Sequence, residues 1–94
     1  MKLKFEWDAR KAKTNYKTHK ISFDEAAMVF SDPESITISD PDHSQNEQRY
    51  IDIGLSDKGR LLVVIYTERS SNLRIISARK ATPKEQRLYE ENTG

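Results

Sequence analysis

The chain contains no cysteine, which excludes a disulfide framework and a thiolate metal site as means of holding a small fold together. Stability must come from packing. At 94 residues the chain has room for a single domain, expected over residues 1–94, and a chain of that size buries only about 60 to 65% of the surface its unfolded form exposes. The longest apolar run, Leu61 to Tyr66, is far short of the roughly 20 residues of a membrane-spanning helix. The N-terminus carries nothing like a signal peptide, so a cytoplasmic protein without membrane contact is expected. No phosphate-loop signature, linker or internal repeat is present, and the only histidines are His19 and His43. Chemistry is therefore expected to fall to side chains alone, without metal or cofactor.

What the chain does have is charge, sorted by sign. Residues 1–20 carry seven Lys or Arg against Glu6 and Asp8, residues 21–48 carry seven acids and no Lys or Arg, and residues 49–80 return seven basic residues against Asp52, Asp57 and Glu68. If the first and third blocks lie side by side, they form a basic face suited to a polyanion, and the acidic block could face a basic partner.

The apolar residues fall into periodic groups. Leu3, Phe5 and Trp7 alternate with polar residues as a strand over residues 2–7. Asp8 is an N-cap, and Ala9, Ala12, Tyr16 and His19 continue at helical spacing to about Thr18, with His19 reading as a C-terminal cap on the helix dipole. Ser22 and Glu25 form a capping box ahead of Phe23, Ala26, Ala27 and Phe30, and Ser31-Asp32-Pro33 stops that helix. Ile36 and Ile38 mark a short strand, and residues 40–48 read as a polar loop. Ile51, Ile53 and Leu55 form the next strand, Asp57-Lys58-Gly59 a hairpin turn, and residues 60–68 a strand whose apolar run suggests a central position. A turn at Ser70-Ser71-Asn72 leads into a strand over residues 73–80. Thr82, Pro83 and Glu85 open a third helix, with fraying expected after Tyr89. The order predicts an α+β layer architecture.

Polar residues flank the apolar strands: Glu47 and Arg49 enter one, Glu68 and Arg69 leave another, and Arg74 and Arg79 bracket Ile75-Ile76-Ser77-Ala78. Arginine stays charged and can donate two parallel hydrogen bonds to phosphate; the alternative for each is an ion pair with Glu47 or Glu68. His43 suits proton transfer near neutral pH, with Glu68 and Tyr66 also available. Tyr66 reads either as core or as a platform on which a base stacks. Turn length leaves open which of these residues face one another, since a two-residue turn at Ser71-Asn72 sets Arg69 beside Arg74 and a three-residue turn sets Glu68 there.

These residues resemble the BrnT-type toxins of type II toxin-antitoxin pairs. The first half matches through Phe5-Glu6-Trp7-Asp8, Lys11, Asn15, Lys17 to His19, Ser22-Phe23, Glu25-Ala26-Ala27, Phe30 and Asp32-Pro33. The second half matches through Asp40, His43-Ser44, Glu47, Arg49, Gly54, Leu61 to Val64, Tyr66-Thr67, Arg69 and Arg74 to Arg79, so the resemblance spans about residues 5–89. It implies a RelE-like fold, with two N-terminal helices packed on an antiparallel sheet of four to five strands, a C-terminal helix and an RNA site on the exposed side of the sheet. It also implies a metal-independent endoribonuclease acting through 2′-hydroxyl attack. Arg79, His43, Glu68 and Arg49 are the catalytic candidates, and Lys17, Tyr66, Arg69 and Arg74 the RNA-binding ones. The implied partner is an antitoxin, usually a ribbon-helix-helix DNA-binding protein, through which alone operator DNA is contacted. The rival reading is a non-catalytic basic-faced module that binds RNA or protein. Lys20 departs from the pattern, standing where relatives usually have glycine; in a left-handed C′ position it would cost about 1 kcal/mol relative to glycine.

Overall fold

The computed structural model describes residues 3–39 and 47–93. The elements, in order, are β1 (Lys4–Trp7), α1 (Ala9–His19), α2 (Phe23–Ala27), a 3-10 turn (Met28–Ser31), β2 (Ile36–Ser39), β3 (Arg49–Leu55), β4 (Leu61–Arg69), β5 (Asn72–Lys80) and α3 (Pro83–Thr93). Among these residues no helix is long and apolar enough to cross a membrane.

Local signals placed the helix starts. Asp8 accepts from the amides of Arg10 (2.7 Å) and Lys11 (3.1 Å), which satisfies two of the donors a helix N-terminus leaves open. Helix α1 ends on Lys20 in the left-handed region, φ 61° and ψ 31°, with its N–H on the Tyr16 carbonyl. The non-glycine cost expected at this position is therefore present. At α2 only half of the expected capping box forms: the Glu25 amide donates to Ser22 Oγ at 3.1 Å, but the Glu25 carboxylate does not turn back. Its side chain is 2% exposed, and a buried carboxylate needs a cation more than it needs a cap. Arg60 supplies that cation through Nε at 2.9 Å and a second, short contact from Nη2, and Ser56 Oγ adds a bond of 2.7 Å. The Arg60 hydrogen bonds hold the Glu25 carboxyl below the usual range against the effect of burial. Arg60 follows the hairpin turn, where Gly59 at φ 74° takes the conformation expected of it.

The sheet runs β1-β5-β4-β3-β2. It is mixed, which corrects the antiparallel expectation: β1 lies parallel to β5, with Phe5 opposite Leu73 and Trp7 opposite Ile75. Strands β2 to β5 form an antiparallel meander whose last strand arrives beside β1 in β1's own direction. Alternation within one strand carries no information about that direction. The hairpin turn between β4 and β5 sits at Ser70-Ser71, with Ser70 at φ 54°, so neither of the two turn registers considered from sequence is adopted. Arg69 lies opposite Asn72, and Thr67 opposite Arg74.

One side of the sheet packs beneath the first two helices. Leu62, Val64, Ile75 and Ala78 meet Ile21, Phe23, Ala26 and Val29, with Phe5, Trp7, Ala12 and Phe30 around them. Gly54 is needed on this side, because a Cβ there would lie 2.8 Å from Ser35 Cβ and 2.9 Å from Val29 Cγ1. The other side carries a smaller cluster of Ile53, Val63 and Tyr89 beneath α3. Contrary to the expected fraying, α3 stays helical to Thr93. Tyr89 donates to Asp32 at 2.6 Å and Asn92 to the Glu34 carbonyl at 3.3 Å, contacts that α3's own sequence pattern could not reveal.

Asn15 joins α1 to the sheet. This buried amide donates through Nδ2 to the carbonyls of Ala78 (2.9 Å) and Ile21 (3.0 Å), and accepts from the Ala78 amide at 3.1 Å. Asn15→Ala would leave buried backbone groups without partners, at roughly 1 to 3 kcal/mol for each such group. The expected loss is about 3 kcal/mol or more, read as a fall in the urea midpoint at constant slope.

Candidate nucleic-acid interface

Strand alternation decides which side chains reach the side of the sheet left open by α1 and α2. Across it run Glu6, Arg74, Thr67 and Arg49, which are neighbours in register on β1, β5, β4 and β3. The next row holds Ser77, Ile65, Ile51 and Ile38, and the row after it Arg79, Val63, Ile53 and Ile36. Arg74 and Arg79 are five apart in sequence, an odd separation that regular alternation would send to opposite sides. A bulge resolves this: Ile65 pairs with Ser77 but Tyr66 with Ile75, so Ile76 is the extra residue, and both arginines emerge on the open side.

Acids hold three of these arginines. Arg74 lies 2.7 Å from Glu6, which also accepts from Asn72 at 3.0 Å; those two hydrogen bonds, Asn72's foremost, lower the Glu6 carboxyl below its usual range. Arg69 lies 3.4 Å from Glu47. Arg79 makes a parallel two-bond pair with Glu85, 2.8 Å for each bond. Glu85 is also the α3 capping-box acid, accepting from the Thr82 amide at 2.8 Å while its own amide donates to Thr82 Oγ1. The Arg79 hydrogen bonds take the Glu85 carboxyl down to about 2.

The structure thus brings together Arg49, Arg69, Arg74 and Arg79 of the sequence candidates. The others fall elsewhere. Tyr66 points to the helix side and is 7% exposed; its ring packs edge-on against Phe30 and stacks on Tyr50, and its hydroxyl donates to Asp52 at 3.3 Å. It is core, and it leaves no face for a base. Glu68 alternates to that same side, apart from the arginines, and Lys17 is exposed on α1. His43 lies outside the described residues. Sequence reasoning considered Glu47 and Glu68 as arginine partners and missed Glu6 and Glu85. The capping-box spacing of Glu85 was the available signal, since it fixes that acid close after Arg79.

Residues 7–85 match the family described as the ribonuclease toxin, BrnT, of type II toxin-antitoxin systems. The chain belongs to the BrnT family. The crystal structure of the Brucella abortus ribonuclease toxin BrnT is similar to it, with a TM-score of 0.63 and 25% identity over 86% of this chain and 99% of that one. No curated protein matches. The α+β architecture described above is therefore that of a BrnT toxin, with a mixed sheet.

The Arg79–Glu85 pair gives a pH signature. Because the folded-state carboxyl of Glu85 lies below its ordinary 4.5, at about 2, its contribution to stability is complete above about 4.5 and is lost as pH falls toward 2. Glu85→Gln should therefore destabilise the protein at pH 7, and its deficit against wild type should shrink steadily between pH 4.5 and pH 2. Denaturant melts at several pH values check this; a deficit independent of pH would show that the carboxylate charge contributes nothing.

Proposed function

We propose that this BrnT-family chain is a metal-independent endoribonuclease that stops translation and growth by cutting RNA in the cytoplasm. The observation that carries the reading is the gathering of Arg49, Arg69, Arg74 and Arg79 on the side of the sheet opposite α1 and α2, which α3 covers only in part. In the reaction the 2′-oxygen bonds to the adjacent phosphorus and the bond from phosphorus to the 5′-oxygen breaks. A base removes the hydroxyl proton, an acid protonates the leaving oxygen, and donors stabilise the charge that builds on the phosphoryl oxygens. Arg79 takes the last role, held in orientation by Glu85. Arg49 supports it, and Arg69 and Arg74 grip flanking phosphates. His43 is the proton-transfer group, on the chemistry of imidazole alone. Among the described residues no group of three or more His, Asp or Glu side chains is placed to hold a metal ion.

Arg79→Ala should lower the RNA cleavage rate, measured in excess EDTA, by about 10² to 10³, the effect of losing a comparable electrostatic donor. Because the pair is bidentate and Glu85 also caps α3, its loss should lower the thermal midpoint, so rates are compared at a temperature where both proteins are folded. Arg79→Lys should restore only part of the rate, because it keeps the charge but lacks the planar two-donor fork. Unchanged cleavage in Arg79→Ala removes it from the site, and wild-type cleavage that vanishes in EDTA and returns with added metal overturns the mechanism.

The same reading gives the protein an antitoxin, of the ribbon-helix-helix kind, that neutralises it and carries the pair to operator DNA. Its contact surface is a helix together with the β2 edge, where the sheet ends and Ile38 is 40% exposed. Expression of the toxin alone should arrest bacterial growth, and co-expression with the product of the adjacent gene should restore it. The two should copurify through an interface of roughly 1,600 Å² or more; failure of both rescue and copurification would refute the pairing.

A further inference from the structure

Where β1 stops, a groove of about 320 Å³ opens between α1 and the continuing edge of β5. Arg10, Lys11, Thr14, Thr18 and His19 line one wall, and Ile76 and Ser77 the other. Asn15 is also in the lining, but its amide is committed to Ala78 and Ile21. The remaining polar groups are cationic, imidazole or hydroxyl, with no carboxylate among them. Arg10, Thr14 and Thr18 recur every four residues, a rail with steps of about 6 Å along the helix axis.

Two observations join this groove to the arginine-bearing side of the sheet. Ser77 belongs to that side by register, in the row between Arg74 and Arg79. Glu6, which holds Arg74 at 2.7 Å, lies two residues before Asp8, whose carboxylate accepts from the amides of Arg10 and Lys11, so the sheet's basic row and the groove adjoin at Asp8. The arginines of the sheet are held by Glu6, Glu47 and Glu85. In the groove, Arg10 and Lys11 have no ion pair among the described residues, and the one acid beside them, Asp8, is committed to the amides of the helix's first turn.

We infer that the groove between α1 and the β5 edge is a second RNA subsite, which takes the phosphates of the strand flanking the cleaved bond. Arg10 and Lys11 are its charged contacts, and Thr14, Thr18 and Ser77 its hydrogen-bond donors. The inference rests on the proposed ribonuclease reading for what the strand is doing there, but binding tests it without cleavage.

The probe is a single-stranded 2′-O-methyl RNA of about 12 nucleotides, which lacks the attacking hydroxyl and cannot be cut. Binding is followed by fluorescence anisotropy across a salt series. Arg10→Ala with Lys11→Ala should reduce the slope of log K against log salt by about 1.4, at ~0.7 per lost phosphate contact, and weaken binding on the order of tenfold at ~0.1 M salt. Lys13→Ala with Lys58→Ala removes the same charge outside the groove and should change the slope far less. With cleavable RNA, the groove pair should raise KM for the long strand and leave kcat on a two- or three-nucleotide substrate unchanged. Equal slopes for the two double variants would overturn the subsite in favour of diffuse attraction. A fall in kcat on the short substrate would move these residues to the reaction centre and overturn the flanking role. If wild type binds the uncleavable probe through the groove yet cuts no RNA, the ribonuclease reading fails while the binding subsite stands.

Discussion

Strand β5 runs to Lys80 while its outer neighbour β1 ends opposite Ile75, so the backbone beyond Ile75 would present bare donors and acceptors at a sheet edge. Asn15 fills that gap by receiving the Ala78 amide and donating to the Ala78 carbonyl, much as a neighbouring strand would. Its second donor bond, to the Ile21 carbonyl, ties down the connection into α2 as well. A side-chain amide can do this because it holds one acceptor and two donors in a plane. Most of the architecture hangs on this substitution of helix for strand. It sets α1 against the edge, leaves room for the bulge at Ile76, and through that bulge sends Arg74 and Arg79 to the same side.

The arginines so gathered are not loose charges. Arg74 and Arg69 have carboxylate partners whose side chains are 32% and 34% exposed, and pairs of that kind are worth about 0 to 1 kcal/mol. A phosphate can replace such an acid at little cost. Arg79 differs, because Glu85 grips it with two bonds and is itself held by the α3 cap. Its guanidinium still has donors that the two-bond pair does not use. Arg79 is therefore suited to meet a phosphoryl oxygen without leaving its partner, as a fixed donor whose orientation is set before substrate arrives. Arg69 and Arg74 are suited to exchange partners. On the proposed function, this difference in how the arginines are held is what would distinguish a reaction-centre donor from a gripping one.

What was legible in the sequence was local. The caps at Asp8, Ser22 and Thr82, the stop at Asp32, the Gly59 turn and the central place of β4 all depend on residues within a few positions of one another. What was not legible depended on distant partners. Glu25 has the spacing of a capping-box acid, yet Arg60 claims it. The direction of β1 is set by where a meander of three further reversals happens to end. Tyr66 shares its side with Leu62 and Val64 by alternation, but which β5 residue lies opposite it depends on the Ser70-Ser71 turn and on the bulge. The bulge carries no glycine to announce it, since Ile75-Ile76-Ser77 reads as unbroken strand. The family resemblance narrowed the site to a set of basic and acidic residues, and register then divided that set, keeping the four arginines together and sending Tyr66 and Glu68 to the other side.

The sorting of charge along the chain becomes a sorting across the molecule. Strand order places β1 and α1, with their block of cations, beside the arginines of β5, and places β2 at the opposite edge. Asp24, Asp32 and Glu34 come from the acidic block and lie in or near α2, the 3-10 turn and β2. Net charge of +1 would steer nothing if spread evenly, but a chain with one basic edge and one acidic edge carries a directed field. On the proposed function, a polyanion would be drawn toward the α1 and β5 edge and repelled from the β2 edge. Substrate and a basic protein partner would then be recognised from opposite ends of one small sheet, with the same sequence blocks deciding both.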